Sequence, residues 1–358
     1  MIYAIRKGIT TALSCVFLLA SIVPVDGKTP DDVKEFGDFK VKAESGSAFA
    51  QLKLADCYAY GLGVVSDDKL AIHWYRQSAE QGNELAQDKL GDCYAKGIGA
   101  DRNDSRAFRW YRKAAEQGLA RAQFKAGNCY ELGKGTVRDL ERAAEWYRAA
   151  AAQHNVTAQV ALGRCYSKGI GVVKNQAEGY AYFCLASRTS NEARGEFIGL
   201  RGQMTFDEIS EGINRAKEML LDEIATTARP MISINGSTMH SSFSDGLRAG
   251  MAKGRPGEAF AQAMKWYVDP CLAAARMGDA NAQADIGLSF ALGDGLKPDS
   301  IKAHAYLSIS GLTDARTKSA LAELERKTEP EDLIAARELA VQLKKEIKAK
   351  IAEQQAGK

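Results

Sequence analysis

A period of 36 residues runs through the first half of this 358-residue chain and limits what it can fold into. Ala-Gln recurs at Ala50-Gln51, Ala86-Gln87, Ala122-Gln123 and Ala158-Gln159. Cys-Tyr recurs at Cys57-Tyr58, Cys93-Tyr94, Cys129-Tyr130 and Cys165-Tyr166. Gly-x-Gly recurs at Gly61/Gly63, Gly97/Gly99, Gly133/Gly135 and Gly169/Gly171. Trp-Tyr recurs at Trp74-Tyr75, Trp110-Tyr111 and Trp146-Tyr147, and becomes Tyr182-Phe183 in the fourth unit. A repeat of this length marks a stack of supersecondary units, each too small to bury its apolar face alone.

Each unit reads as two helices. Ala50, Leu54, Cys57, Tyr58 and Gly61 share one face at helical spacing. Gly61 then ends that helix, because glycine takes the left-handed conformation without a Cβ clash. Asp67, Asn103, Asp139 and Asn175 stand where the second helix begins and are good N-caps. Its apolar stripe runs Leu70, Ala71, Trp74, Tyr75, Ser78 and Ala79, with the three tryptophans expected as inward anchors. Gly82 and Gly118 close it in the first two units. Ala55, Gly91, Gly127 and Gly163 share one position, where a small residue lets the paired helices approach closely. Only 7 prolines and an abundance of alanine favour helix over sheet. The predicted class is all-α, an α/α solenoid.

The pattern A-Q-x-x-L-G-x-x-Y-x-x-G-x-G-V, an acidic or amide cap, then A-x-x-W-Y-x-x-A-A-x-x-G resembles the Sel1-like repeat family, a relative of tetratricopeptide solenoids. Residues 86–121 match it almost position by position. The resemblance covers 43–187 fully and 258–345 more sparsely. In the later stretch Ala282-Gln283, Gly287, Phe290, Gly293, Gly295, Asp299, Ala303 and Tyr306 keep the expected offsets. A helix pair is expected after each array, near 194–203 and 206–224 and again near 315–327 and 330–348. Thr205/Glu208 and Thr328/Glu331 are spaced as capping boxes. The expected order is a signal peptide at 1–27, a first array with its terminal pair over 28–225, and a flexible linker over 226–256. A second short unit with its own terminal pair and a basic tail follows over 257–358. Asp269 and Pro270 are expected to open a new helix as N-cap and N1.

Arg6 and Lys7, the apolar run over 9–23, and the short residues Val25 and Gly27 read as a secretory signal cleaved after Gly27. The run is shorter than the ~20 residues of a membrane span, so no stable span is expected after cleavage. The location expected is periplasmic or secreted. Export permits disulfides. Cys57, Cys93, Cys129 and Cys165 nevertheless fall in successive units on the inward face, too far apart to bridge one another, and read as small core residues.

Little here points to catalysis. His73, His154, His240 and His304 show no metal-ligand spacing. No nucleophile elbow, zincin, Walker or paired Cys-x-x-Cys pattern occurs, and no cofactor is expected. With 48 basic and 45 acidic residues, net +3, the charge balance gives no argument for nucleic acid. The variable positions on a fixed frame are the informative ones. On the first helix these are Leu52, Asp56 and Tyr60; then Asp88, Asp92 and Lys96; then Phe124, Asn128 and Leu132; then Val160, Arg164 and Lys168. They are read as the face opposite the core, on the concave side, and as the candidate surface for a protein or peptide partner. The resemblance implies an exported adaptor or scaffold, without enzymatic activity, in envelope signalling or host contact. The alternative it offers is a cell-wall ligand binder or weak β-lactam-processing enzyme. The paired cysteines of those relatives are absent here.

Overall fold

Side-chain caps set where most repeat helices of this protein begin, the helix with Leu119 at its N-cap being an exception. The structure, a computed structural model, describes residues 30–227 and 256–356. The expected signal peptide and all but the edges of the expected linker lie outside them. Sixteen α-helices are found among the described residues. They are α1 (Pro30–Glu44), α2 (Ala48–Tyr60), α3 (Asp68–Glu80), α4 (Glu84–Lys96), α5 (Asp104–Glu116), α6 (Ala120–Leu132), α7 (Leu140–Ala151) and α8 (Val156–Lys168). After these come α9 (Gln176–Ser187), α10 (Asn191–Arg201), α11 (Phe206–Thr227), α12 (Pro256–Ala275), α13 (Ala280–Leu292), α14 (Ser300–Ser310), α15 (Ala315–Lys327) and α16 (Pro330–Ala356). The fold is the all-α solenoid expected. By contacts the chain divides into two compact units between Trp146 and Tyr147, within α7.

In the first unit, Asp67 and Asn103 accept from backbone amides of the second helices, as their positions predict. Ser47 and Asn83 do the same for the first helices, a second row of caps at one repeat position. At the other end Gly61, Gly97 and Gly133 sit at φ 71°, 73° and 66° and turn the chain back. The recurring glutamine forms the joint between units. Gln87 donates to the Ala79 carbonyl at 3.1 Å and accepts from Gln117 at 2.7 Å. One repeat earlier, Gln51 donates to the Ala43 carbonyl at 3.2 Å and accepts from Gln81 at 2.7 Å. Each such glutamine is buried and satisfies a carbonyl at the end of the preceding helix, which would otherwise be costly to bury. Gly91 shows why its position stays small: a Cβ there would stand 2.5 Å from the Tyr111 ring.

The tryptophans differ from expectation. Trp74, Trp110 and Trp146 are only half-buried, whereas Tyr75 and Tyr111 beside them are buried at 3% and 6% exposure. One residue of helix rotation separates the two side chains. The tyrosine faces the partner helix, where its hydroxyl finds a carboxylate. The indole lies on the flank, Trp74 against the Ala43, Ala50 and Leu54 cluster and Trp146 against Ala114, Ala115, Ala122 and Ala126.

In the second unit α8 and α9 form the fourth helix pair, and α10 and α11 follow as the terminal pair. The Thr205/Glu208 box forms, with the Thr205 amide 2.8 Å from Glu208 Oε2. Thr328 instead caps the C-terminus of α15 through its amide on the Leu324 carbonyl. Asp269 and Pro270 do not open a helix, because α12 runs through Pro270. Met264, Tyr267 and Val268 before it and Ala275 after it are buried in one core, so packing on both sides keeps the helix continuous despite the lost amide. That core also holds Tyr180, Phe197, Met204, Ile209 and Ile213 from α9–α11 and the stretch between them, and Ile286, Leu288 and Leu307 from α13 and α14. The contacts thus group the chain differently from its two sequence arrays, since the end of the first and the whole of the second share one core.

Candidate functional site

The twelve stripe positions on α2, α4, α6 and α8 fall into three rows with different fates. In the row of Leu52, Asp88, Phe124 and Val160, the structure departs from the expected open face. Leu52, Asp88 and Val160 are 3%, 1% and 3% exposed, and Phe124 is half-buried. The physical reason is visible at Asp88, which is covered from the following repeat by Arg121 at 2.6 Å and Lys125 at 2.9 Å. First helices pack on their neighbours in the stack as well as on their own partner helix, so this row is enclosed.

The second row, Asp56, Asp92, Asn128 and Arg164, is half-buried. Its charged members are committed to structural partners. Asp56 accepts from the Tyr75 hydroxyl at 2.6 Å and pairs with Lys89 of the next repeat at 3.0 Å. Asp92 repeats this with Tyr111 at 2.7 Å and Lys125 at 2.7 Å. Burial, and then the Asp56 and Asp92 carboxylates, push the Tyr75 and Tyr111 hydroxyls far above their ordinary range, so both remain donors at any physiological pH. In the second unit Arg164 inverts the polarity and bridges Glu192 and Glu196 on α10, each at 2.7 Å.

The third row, Tyr60, Lys96, Leu132 and Lys168, is exposed. Tyr60 is 65% and Leu132 53% exposed. Lys89 steadies Tyr60 from below, with its ammonium 5.3 Å from the ring centroid and 3.3 Å from the hydroxyl. A stripe read from sequence as one surface is therefore a buried row, a bridging row and an exposed row. Lys168 lines a groove of about 500 Å3 in the second unit, together with Lys174, Gln176, Glu196 and Gly199.

Sequence reading missed the bridging lysines. Their signal was present: Lys53, Lys89 and Lys125 recur at the 36-residue period. The carboxylate partners of Lys89 and Lys125 lie one repeat away, which a search within single units does not reach, while Lys53 lies over the Phe49 ring of its own helix. Nucleophilic chemistry finds no support in the cysteines. Burial pushes the Cys93 and Cys129 thiols up to about 11, which leaves little thiolate at neutral pH. Among the described residues no group of three or more His, Cys, Asp or Glu is placed to hold a metal ion. No helix among them is long and apolar enough to cross a membrane.

Comparison with known proteins places five stretches, 48–83, 85–119, 120–155, 156–188 and 280–311, under the family profile described as Sel1 repeat. No curated protein matches the chain. Among solved structures, it is similar to a protective antigen from uropathogenic Escherichia coli strains that displays an SLR fold, at 23% identity and a TM-score of 0.47, over 92% of this chain and 84% of that one. It is also similar to a Sel1 repeat protein from Oxalobacter formigenes, at 40% identity and a TM-score of 0.35, over 37% of this chain and 98% of that one.

Proposed function

This chain belongs to the Sel1 repeat family, whose members generally act as protein-interaction scaffolds, and from that premise we propose that it is an exported adaptor that binds a protein or peptide partner along its first helices. The observation that carries this reading is the exposed row Tyr60, Lys96 and Leu132 in the first unit. An aromatic, a cation and an aliphatic residue stand at one register on α2, α4 and α6. The ion pairs Asp56–Lys89 and Asp92–Lys125 hold those helices below them. A face fixed before binding loses little conformational entropy when a partner docks. Aromatic residues on such a face are the usual anchors of an interface.

The test is affinity capture with the full mature chain, followed by mass spectrometry and titration of what is recovered. The double substitution Tyr60→Ala/Leu132→Ala should leave melting unchanged and weaken binding about tenfold or more, the loss typical of an interface anchor. A partner recovered with undiminished affinity would remove this face from the function. The exported location rests on the N-terminal sequence, Arg6 and Lys7, the apolar run over 9–23, Val25 and Gly27, and a role in envelope signalling or host contact rests on the family resemblance alone. N-terminal sequencing of the protein from the exported fraction should begin near Lys28. A protein that keeps Met1 in the cytoplasmic fraction would end that part of the proposal.

A further inference from the structure

The second unit encloses a charged cluster centred on Arg201 and Asp294. Arg201, the last residue of α10, is 1% exposed. Its Nη1 pairs with the fully buried Asp294 carboxylate and donates to the Tyr180 hydroxyl of α9 at 2.7 Å. Tyr180 also donates to Asp294 at 3.2 Å. The guanidinium lies over the Tyr267 ring of α12, 5.2 Å from its centroid. Arg316 on α15 donates to Asp285 on α13 at 2.9 Å and reaches the Arg201 carbonyl at 3.5 Å. The cluster therefore joins the end of the first sequence array, α9 and α10, to four parts of the second: α12, α13, the turn after α13, and α15.

The repeat frame shows that these residues do not serve the repeats themselves. Asp294 occupies the middle of Gly293-x-Gly295, where the earlier units have Leu62, Ile98, Lys134 and Ile170. Asp285 stands where Lys53, Lys89 and Lys125 stand in the first three units. Counted from the N-caps Ser190 and Asp314, Arg201 corresponds to Glu325, which is exposed. The second array thus carries no buried charge at the place where the first has arginine. Charge is also a poor route to stability here. Desolvating both ions offsets much of their attraction. Arg201 Nε and Nη2, Asp294 Oδ1 and the Tyr267 hydroxyl are buried without a hydrogen bond. The surrounding core of Phe197, Met264, Val268, Leu288 and similar side chains is non-directional and could pack in more than one register.

We infer that the buried Arg201–Asp294 pair is a selector that admits one seating of the second array on the end of the first. Any shifted seating leaves both charges buried apart, and that outcome is costly enough to exclude the alternatives. The apolar core supplies the adhesion and the ion pair supplies the register.

The experiment uses the full chain with spin labels carried on non-canonical residues at Ile198, exposed on α10, and Lys297, exposed after α13, so that the native cysteines stay untouched. Wild type should give one narrow distance by pulsed electron resonance. Asp294→Asn, which keeps the shape and removes the charge, should broaden or split that distance and lower melting by about 10 °C. Arg201→Met/Asp294→Leu should recover the melting temperature while the distance stays broad. A narrow wild-type distance in the double variant would assign the seating to apolar packing and overturn the inference. So would an unchanged distance in Asp294→Asn. A chain that no longer folds on Asp294→Asn also overturns it, because a selector leaves each array able to form its own core.

Discussion

Tyr111 carries more of the first unit than the tryptophan beside it. Its ring fills the space against Gly91, its hydroxyl bonds Asp92, and Lys125 lies 5.1 Å over its face while completing the pair with the same carboxylate. Trp110 is half-buried and meets the Lys113 ammonium at 4.5 Å. Tyr111→Ala should therefore cost about 3–5 kcal/mol, as a large buried truncation does, and Trp110→Ala clearly less. Denaturant unfolding of the two variants measures the difference, and the reverse order would contradict this account. The sequence alone favoured tryptophan, since a repeated indole at helical spacing suggests an anchor. Periodicity gives the apolar stripe but not the phase of its centre to within one residue. That phase comes from the hydroxyl, whose carboxylate partner lies 19 residues away on the other helix. The same limit explains Leu52 and Asp88. A helix wheel shows two faces, in and out, while a helix in a stack has lateral neighbours that enclose a third.

Helix ends were the most legible elements, because caps act locally. Asp67, Asn103, Asn175 and Asp299 each cap as their chemistry dictates. Pro270 was misread for the complementary reason: a proline in a helix is tolerated only when distant packing on both sides holds the axis, and distant packing leaves no local mark. One helix end departs from the repeat. The turn between units passes through Gly46, Gly82, Gly118 and Gly278 at φ 98°, 94°, 99° and 93°, and His154 occupies the same place at φ 61°. A side chain in that left-handed region costs about 1–2 kcal/mol, part of which glycine would give back as unfolded-state entropy. His154→Gly should accordingly stabilise the protein, by about 1 kcal/mol, a sign opposite to most substitutions. Chemical denaturation decides it, and a loss of stability would mean that the imidazole makes a contact worth more than the strain.

On the scale of the whole chain, the period alone was enough to give the fold, while the grouping of contacts was hidden in exceptions to it. Asp285 and Asp294 break the repeat pattern and read from sequence as mere variation. Their partners, Arg201 and Arg316, lie outside the matched repeats. The glutamine joints carry the opposite implication. Each consists of one side chain and a carbonyl 8 residues earlier, repeated at the same offset for Gln51, Gln87 and Gln123. Excising residues 84–119 would bring Gln123 into the place of Gln87, 8 positions after Ala79, and regenerate the junction atom for atom. Such a shortened chain should fold, with a smaller denaturant m-value in proportion to the surface removed. A molten or aggregated product would show that some tie reaches beyond adjacent units. Built this way, the array behaves like track laid from identical sleepers: its reach is a quantity that duplication or excision of a single stretch of DNA can change in one step, with no second mutation needed to repair the coupling.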